Sequence, residues 1–547
     1  MVAANKEGSM KFQFVFRIVC GAALLMTACV ASAQLSTATV HGAIVDGTGA
    51  VIPNAKVTLT QTETGFVRTL TTNSAGEYHG EFLPVGPYTI TVQAQGFKDL
   101  LRKGITLTVS QDLQLDLAME LGSASETITV SGEAPLINTG NATLSRTVDN
   151  KEIDNLPLVN RDVYQLLKLT PGVQSADSRN LLGFPEEHVF INGSTDGTVG
   201  QVSYYLDGGL NMTGLRNTGN TLPNPDAIRE FVVQTNNFSA QYGRTSAGIV
   251  SVLTKSGTNQ FHGSIFEFNR NTDLNATTHA STSNLPYHRN QFGATLGGPI
   301  LHDKLFFFGS YGGLRLSQSR PLTGAIVPDA RQRQGDFSEN LPASSGPITS
   351  CNQALSSADK ANTSFGGTFI VCNPTTRTPY PNNVITDALD PVAQTVLNQY
   401  VPLPTNTVTN QWIGSVSTPQ DSNEYLIKAD YQVTPSHLMT INYFQSKGSV
   451  IQLPPGGNVA PWSYQNFSYR QQNANVSDVW TLSPRTVNQF WLSYTRQMGA
   501  RTNLPALSLA DLGSTFNIQG PPQLPQIAVS GFFTLAQSIA GPVAGAN

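Results

Sequence analysis

The sequence predicts a mainly β chain: an N-terminal β-sandwich, a mixed α/β section, and the N-terminal part of a large antiparallel transmembrane β-barrel. Three observations predict it. From residue 261 onward, segments of roughly ten residues alternate apolar and polar side chains, the length that crosses a bilayer at a 45° tilt. Short and long connections alternate between those segments. The chain also begins as an exported protein does.

The export signal occupies residues 1–33. From Met10 the chain reads MKFQFVFRIVCGAALLMTACVASAQ, with Lys11 and Arg17 as the positive region and Ile18 to Val30 as the apolar run. Ala31-Ser32-Ala33 makes the cleavage site. Met10 is a plausible true start, and a lipoprotein signal on Cys29 is the alternative, although Met26 fits its box poorly. Of the four cysteines, Cys20 and Cys29 fall in the removed segment. Cys351 and Cys372 remain as a candidate disulfide, the alternative being two free thiols; export favours the bridge, which would restrain the unfolded loop by about 3 kcal/mol.

Residues 36–120 read as the sandwich: TVHGAIVD, AKVTLTQT, GEYHGEFLP, PYTITVQAQG and LQLDLAME alternate and are separated by turn residues. In the last, Leu113, Leu115, Leu117 and Met119 point one way. His41 and His79 stand as lone surface or packing histidines. Residues 137–257 are mixed, with a short helix over Asp162–Leu169 ended near Pro171-Gly172. The pieces EHVFING, QVSYYLDGG, REFVVQTNN and GIVSVLTKSG read as strands, and polar loops between them suit something enclosed in a polar lumen. The EEH cluster at 186–188 reads as a solvated loop.

In the section from 261 to 547, Tyr425, Ile427, Ala429 and Tyr431 alternate with Leu426, Lys428, Asp430 and Gln432. Met439, Ile441 and Tyr443 oppose Thr440 and Asn442; Phe490, Leu492 and Tyr494 oppose Gln489, Trp491 and Ser493. The turns GGPILHDK, YQVTPSHLM and WTLSPRTVN are short, whereas the links at 272–287, about 315–422 and 449–467 are long. All short turns then fall at one end, as in an outer-membrane barrel. A secreted multi-domain β-protein explains the alternation but not this parity.

Composition narrows the function. Only 12% of residues are charged and the net charge is −4, which excludes a nucleic-acid surface dense in Lys and Arg. The mean hydropathy of −0.14 excludes a bundle of membrane helices. The sequence holds no HExxH, nucleophile elbow, P-loop or Cys/His metal cluster, so neither an enzyme nor a cofactor or metal is expected.

Residues 222–271, LPNPDAIREFVVQTNNFSAQYGRTSAGIVSVLTKSGTNQFHGSIFEFNRN, resemble the junction between plug and barrel in TonB-dependent outer-membrane receptors. LPLVNRDVYQLLKLTPGV, YYLDGGLN and RNQFGATLGGPILHDKLFFFGSYGGLR resemble the plug start, a plug loop and the first barrel strands. VDGTGAVIPNAKVTLT with TTNSAGEYHGEFLPVGPYTITVQAQGF resembles the carboxypeptidase regulatory-like domain, an accessory unit that implies no peptidase. Together these are similar to the Oar-like branch of the family. The resemblance implies uptake of a bulky ligand, such as an oligosaccharide, peptide or metal chelate, through a barrel in outer-membrane lipid. The alternative is a surface or secretion-linked role without import.

The resemblance also implies a periplasmic segment gripped by TonB. The candidate lies in the 121–136 linker: Glu126, Thr127, Ile128, Thr129 and Val130, β-branched residues in an extended, unpaired stretch that can complete another protein's sheet edge. Arg244, Gly248, Lys255 and Gly257 are the candidate junction residues. Ala247 and Gly248 are expected to bring the last plug strand close to the barrel lining. Phe266 and Phe268 are expected on the lipid side of the first wall strand. Seven or eight wall strands are legible, against the roughly 22 of a barrel with a plugged lumen, so the chain is expected to be an N-terminal fragment.

Overall fold

The computed structural model describes residues 37–535, apart from 123–126, 132–141, 159, 180–184, 195–200, 215, 240–241, 244, 278–283, 323, 453–457, 460–461, 484–485 and 517–521. The export signal therefore lies outside the described residues, as do Glu126 and Arg244.

The N-terminal unit has two sheets. One joins β1 (Thr37–Asp46) to β4 (Glu77–Pro84), β7 (Asp112–Gln114) and β8 (Leu117–Met119). The other runs β3 (Val67–Thr71), β2 (Lys56–Gln61), β5 (Gly86–Gln93), β6 (Asp99–Leu107) and β9 (Thr127–Ser131). Alternation sends Val40, Ile44, Val57, Leu59, Ile90 and Ile105 into the space between them, each fully buried. Side chains of this size contribute roughly 1.5–3 kcal/mol each on burial, which lets the two faces close on one another. Leu113, Leu115, Leu117 and Met119 all join that core, as their spacing predicts. His41 and His79 lie on the sheet surface as expected, but they are not isolated. They face each other across the β1–β4 ladder with ring centroids 6.0 Å apart, His41 bonded to Asp112 and His79 to Glu81.

The plug sheet runs β10 (Leu144–Val148), β15 (Ile228–Asn236), β16 (Gly248–Thr254), β13 (Val202–Leu206) and β14 (Gly209–Leu210). A two-stranded ribbon of β11 (Val173–Arg179) and β12 (Glu186–Ile191) lies beside it in sequence. β13 and β16 pair in parallel and are buried along their whole length, so neither alternates. Helix α1 (Asn150–Asn155) begins where the Asp149 carboxylate accepts from Glu152 N at 2.9 Å. The helix expected at Asp162–Leu169 is a 3₁₀ turn over Val163–Leu169, capped by Asp162, whose carboxylate accepts from Tyr164 N at 3.0 Å. Its short length and the Pro-Gly that follows favour the tighter winding. The EEH cluster is not a solvated loop: Glu187 and His188 are buried in β12.

Among the described residues, seven long strands form the wall. They are β17 (His262–Asn271), β18 (Tyr287–Leu301), β19 (Leu305–Pro321), β23 (Gln420–Thr434), β24 (His437–Gln452), β25 (Tyr464–Ser483) and β26 (Thr486–Leu504). Each pairs antiparallel with the next, and among the described residues no ladder joins β17 to β26. The short β20 (Ala325–Ile326) and β21 (Gln411–Trp412) pair within the longest link, and β22 (Ser415–Ser417) extends the ladder of β19. Connections of two or three residues do alternate with long links. Six of the seven strands are longer than the ten residues expected, at 15 to 20. In β26 the outward apolar run is Phe490, Leu492 and Tyr494, and the ladder continues beyond it with Arg496 and Thr502 interspersed among Met498, Ala500 and Leu504 on the same face.

One facing was expected wrongly. Ile265 is 92% exposed on the outer side of β17, so Phe266 and Phe268 turn inward. There the Arg161 guanidinium of the plug lies over both rings, at 4.7 and 4.2 Å from their centroids. Arg161 also pairs with Asp226, which accepts from Ser264 on the same inner face. Aromatic content suggested lipid; a plug cation claims the rings instead.

The longest link folds into a lobe at the end opposite the short turns. Val327, Val401, Trp462, Leu524, Phe533 and Leu535 form its core, drawn from three separate links. Arg333 donates to the carbonyls of Pro328, Leu397, Val401 and Pro402, which ties the lobe to helix α3 (Pro391–Tyr400), the helix after α2 (Ser357–Ala361). Cys351 and Cys372 are bridged in this lobe, with Cα atoms 6.1 Å apart.

Candidate functional site

The plug sits on a row of polar wall side chains. At its centre is the turn Asp207-Gly208-Gly209, whose first two residues take positive φ. The Asp207 carboxylate accepts from Thr254 N at 2.9 Å, Thr254 Oγ1 at 2.7 Å, and Asn442 Nδ2 at 2.5 Å. Lys428 Nζ lies 3.2 Å from Asp207 Oδ1 and also donates to the Thr254 carbonyl. Both side chains of this ion pair are about 5% exposed or less. The hydrogen bonds from Thr254 and Asn442 to Asp207, and from Lys428 to Thr254, offset part of the cost of burying this pair.

Neighbouring inward positions of β25 read plug backbone. Gln471 donates to Asn211 Oδ1 and to the Thr221 carbonyl, Asn473 to the Leu210 carbonyl, and Asn475 to the Leu206 carbonyl. Their spacing of two follows from strand alternation. Glu424 of β23 accepts from both the backbone and side-chain nitrogens of Asn224. Phe308, Leu426 and Phe444 of the wall enter the plug's own apolar core.

The junction residues do not act as one group. Gly248 meets its neighbours inside the plug, where an added Cβ would lie 2.7 Å from Ile191 Cδ1 and 2.9 Å from the Gln234 carbonyl oxygen. The close approach to the lining falls to Gly209, whose Cβ would lie 1.9 Å from Asn475 Oδ1. Lys255 starts the link to the wall through its backbone bond to Ala227, and burial lowers its ammonium pKa. Gly257 passes directly over the wall backbone, where a Cβ would lie 2.4 Å from the Phe307 carbonyl oxygen.

At the short-turn end the sandwich is docked. Val85 and Val109 of the sandwich pack with Val232 and Leu253 of the plug. Val109 N donates to Glu230 Oε1 at 2.6 Å, and Ser110 meets the Tyr242 hydroxyl at 3.2 Å. Arg229 lies 3.5 Å from Glu63, and Asn259 in the link donates to the Glu63 carbonyl and to Asp303 of a short turn. Burial pushes the Glu230 carboxyl up to about 7, against the opposing pull of the Val109 N–H and Arg229 and with a small further push from Asp149. Between sandwich, plug and wall lies a cavity of about 110 Å³, with Phe66, Val85, Lys428, Asn442, Ser477 and Trp491 among its walls.

The segment expected to be free is paired. Thr127–Ser131 runs parallel to β6, with Leu100 opposite Ile128, and Ile128 packs against the sandwich core. Among the described residues β9 is thereby an edge strand, with its outer side unmatched in that sheet. The β-branched residues that suggested a free strand also suit this edge.

A plug seated by polar contacts inside an amphipathic antiparallel wall defines a plugged outer-membrane β-barrel protein. The chain belongs to the outer membrane beta barrel domain family, whose model matches residues 253–547. The TonB-dependent receptor plug domain matches residues 139–250, and the carboxypeptidase regulatory-like domain residues 39–120. The chain is 28% identical over 329 residues to the TonB-dependent transporter Oar of Myxococcus xanthus, a match covering 56% of this chain and 30% of that protein. Among solved structures, the outer membrane transporter YddB of Escherichia coli is similar at 11% identity and a TM-score of 0.37, over 65% of this chain and 38% of that one. The siderophore receptor PirA of Acinetobacter baumannii is similar at 14% identity and a TM-score of 0.28, over 66% and 48%.

Of the residues that seat the plug, Lys428 and Asn442 were placed on the inner face by alternation alone, but their partner Asp207 was not singled out. A lone lysine on a lumen face, in a chain with so few charges, was the available signal.

Proposed function

We propose that the whole protein is a TonB-dependent receptor that imports a bulky ligand across the outer membrane, with TonB pairing to the Thr127–Val130 segment. The seat of the plug supports this reading most directly. Beside the three wall side chains Phe308, Leu426 and Phe444, it is built from side-chain hydrogen bonds and a buried ion pair, polar contacts that can be broken and remade. The unmatched outer side of β9 offers the edge on which a TonB strand adds. An oligosaccharide, a peptide or a metal chelate each fits the size class. The lobe with its own core and disulfide favours a second reading, a surface or secretion-linked role without import.

The two separate on one measurement. Binding of the full-length protein to the periplasmic domain of TonB is expected to weaken at least tenfold in Ile128→Pro, because proline removes the strand's N–H and restricts its neighbour. Ile128→Val is expected to bind as the parent does. Unchanged binding in the proline variant removes the import reading.

A further inference from the structure

We propose that the docked sandwich is the stopper of the cavity between plug and wall, and that traction on β9 draws it off. The first half stands on geometry alone. The cavity of about 110 Å³ has walls from all three units: Thr37, Phe66 and Val85 from the sandwich, Leu253 and Gly257 from the plug and its link, Ser477 and Trp491 from the wall. That volume holds several waters, and its lining includes polar groups able to bind them. The sandwich closes one side of it.

The closure has its own interface. Val85 and Val109 cluster with plug residues rather than with the sandwich core. Undocked, both would be surface residues of an otherwise complete sandwich. Among the described residues the remaining contacts are few and polar: Val109 N to Glu230, Ser110 to Tyr242, Arg229 to Glu63, and Asn259 N to the Glu63 carbonyl. An interface of one small apolar cluster and a few polar contacts is built to separate as a unit, leaving each domain's core intact.

The second half rests on the reading that TonB grips Thr127–Val130. β9 pairs with β6 from Asp99–Thr127 through Lys103–Ser131, so this segment is part of the stopper's own sheet. A pull on it loads the sandwich directly, through that ladder and through Ile128 in the sandwich core. The sandwich moves before tension reaches the plug.

A single reporter thiol tests both halves in the full-length protein, with Cys351 and Cys372 bridged and any other cysteine replaced by serine. Ser477→Cys lines the cavity, and its reaction with a bulky maleimide supplied from the periplasmic side is expected to be slow. Val85→Asp with Val109→Asp is expected to raise the rate at least tenfold while the protein stays heat-modifiable on gels. Val85→Asp alone, as the milder variant, is expected to give a smaller rise. Ser74→Cys, in the exposed turn between β3 and β4 of the sandwich, is the control expected to react at the same rate throughout. Equal rates at Ser477→Cys with and without the aspartates overturn the stopper. In cells with an energised inner membrane the reporter is expected to react faster than after a protonophore. A response to the aspartates but not to energy keeps the stopper and removes the traction, and with it the support this gives to the TonB reading.

Discussion

Lys428→Met is expected to loosen the plug in its seat by about 3–5 kcal/mol, the usual cost of removing one partner from a buried ion pair. Asp207 would keep Thr254 N, Thr254 Oγ1 and Asn442 Nδ2 as donors, but its charge would have no cation within the seat. The loss should show as faster protease cleavage within residues 137–257 of the purified protein, and as plug release at lower denaturant than wall unfolding. Adding Asp207→Asn is expected to recover most of it, because the charge that needed the lysine is then gone. If Lys428→Met leaves cleavage unchanged, the three remaining donors carry the carboxylate unaided, and the ion pair does not set the strength of the seat.

Gly257→Val is expected to cost assembly outright, with heat-resistant protein in the outer membrane falling tenfold or more. The clash is with backbone: an added Cβ would lie 2.4 Å from the Phe307 carbonyl oxygen, 2.7 Å from that of Gly298 and 2.9 Å from Phe307 N. Gly298 and Phe307 are ladder partners in β18 and β19, so neither can retreat without opening the wall. The link must lift instead, which pulls on β16 behind it and on the Asn259 bonds to Glu63 and Asp303 ahead of it. Gly257→Ala is expected to show the same defect. Gly243→Ala, where a Cβ would have open space, is the control expected to assemble normally.

The wall was legible in the sequence because one physical rule repeats along it. Lipid on one side and polar lumen on the other impose a period of two, so Tyr425, Ile427, Leu492 and Tyr494 could be assigned by counting. The same rule gave no warning at β17. Its aromatic residues look like a lipid-facing belt, and only the position of Arg161, more than 100 residues earlier in the chain, shows otherwise. The sandwich core was equally countable. The plug was less so, because β13 and β16 are buried on both faces and lose their alternation. What escaped altogether were pairings between units: Asp207 with Lys428, β9 with β6, and Val109 with Glu230. Such contacts depend on where whole domains stop against each other, and no local pattern encodes that.

The Glu230 carboxyl makes the sandwich's attachment a matter of acidity. In place burial raises its pKa from an ordinary 4.5 to about 7, so the share of that burial which the sandwich supplies makes the attached state bind protons that a separated state releases. Attachment is therefore firmest toward pH 4.5 and weakens as pH rises through 7, with each unit of the shift that attachment causes worth about 1.4 kcal/mol. Thiol reactivity at Ser477→Cys, taken as a ratio to that of the exposed control thiol at the same pH, should climb over that range in the parent, and Glu230→Gln should flatten the ratio. Letting go of the sandwich near neutral pH is thus coupled to release of a fraction of a proton into the compartment it faces.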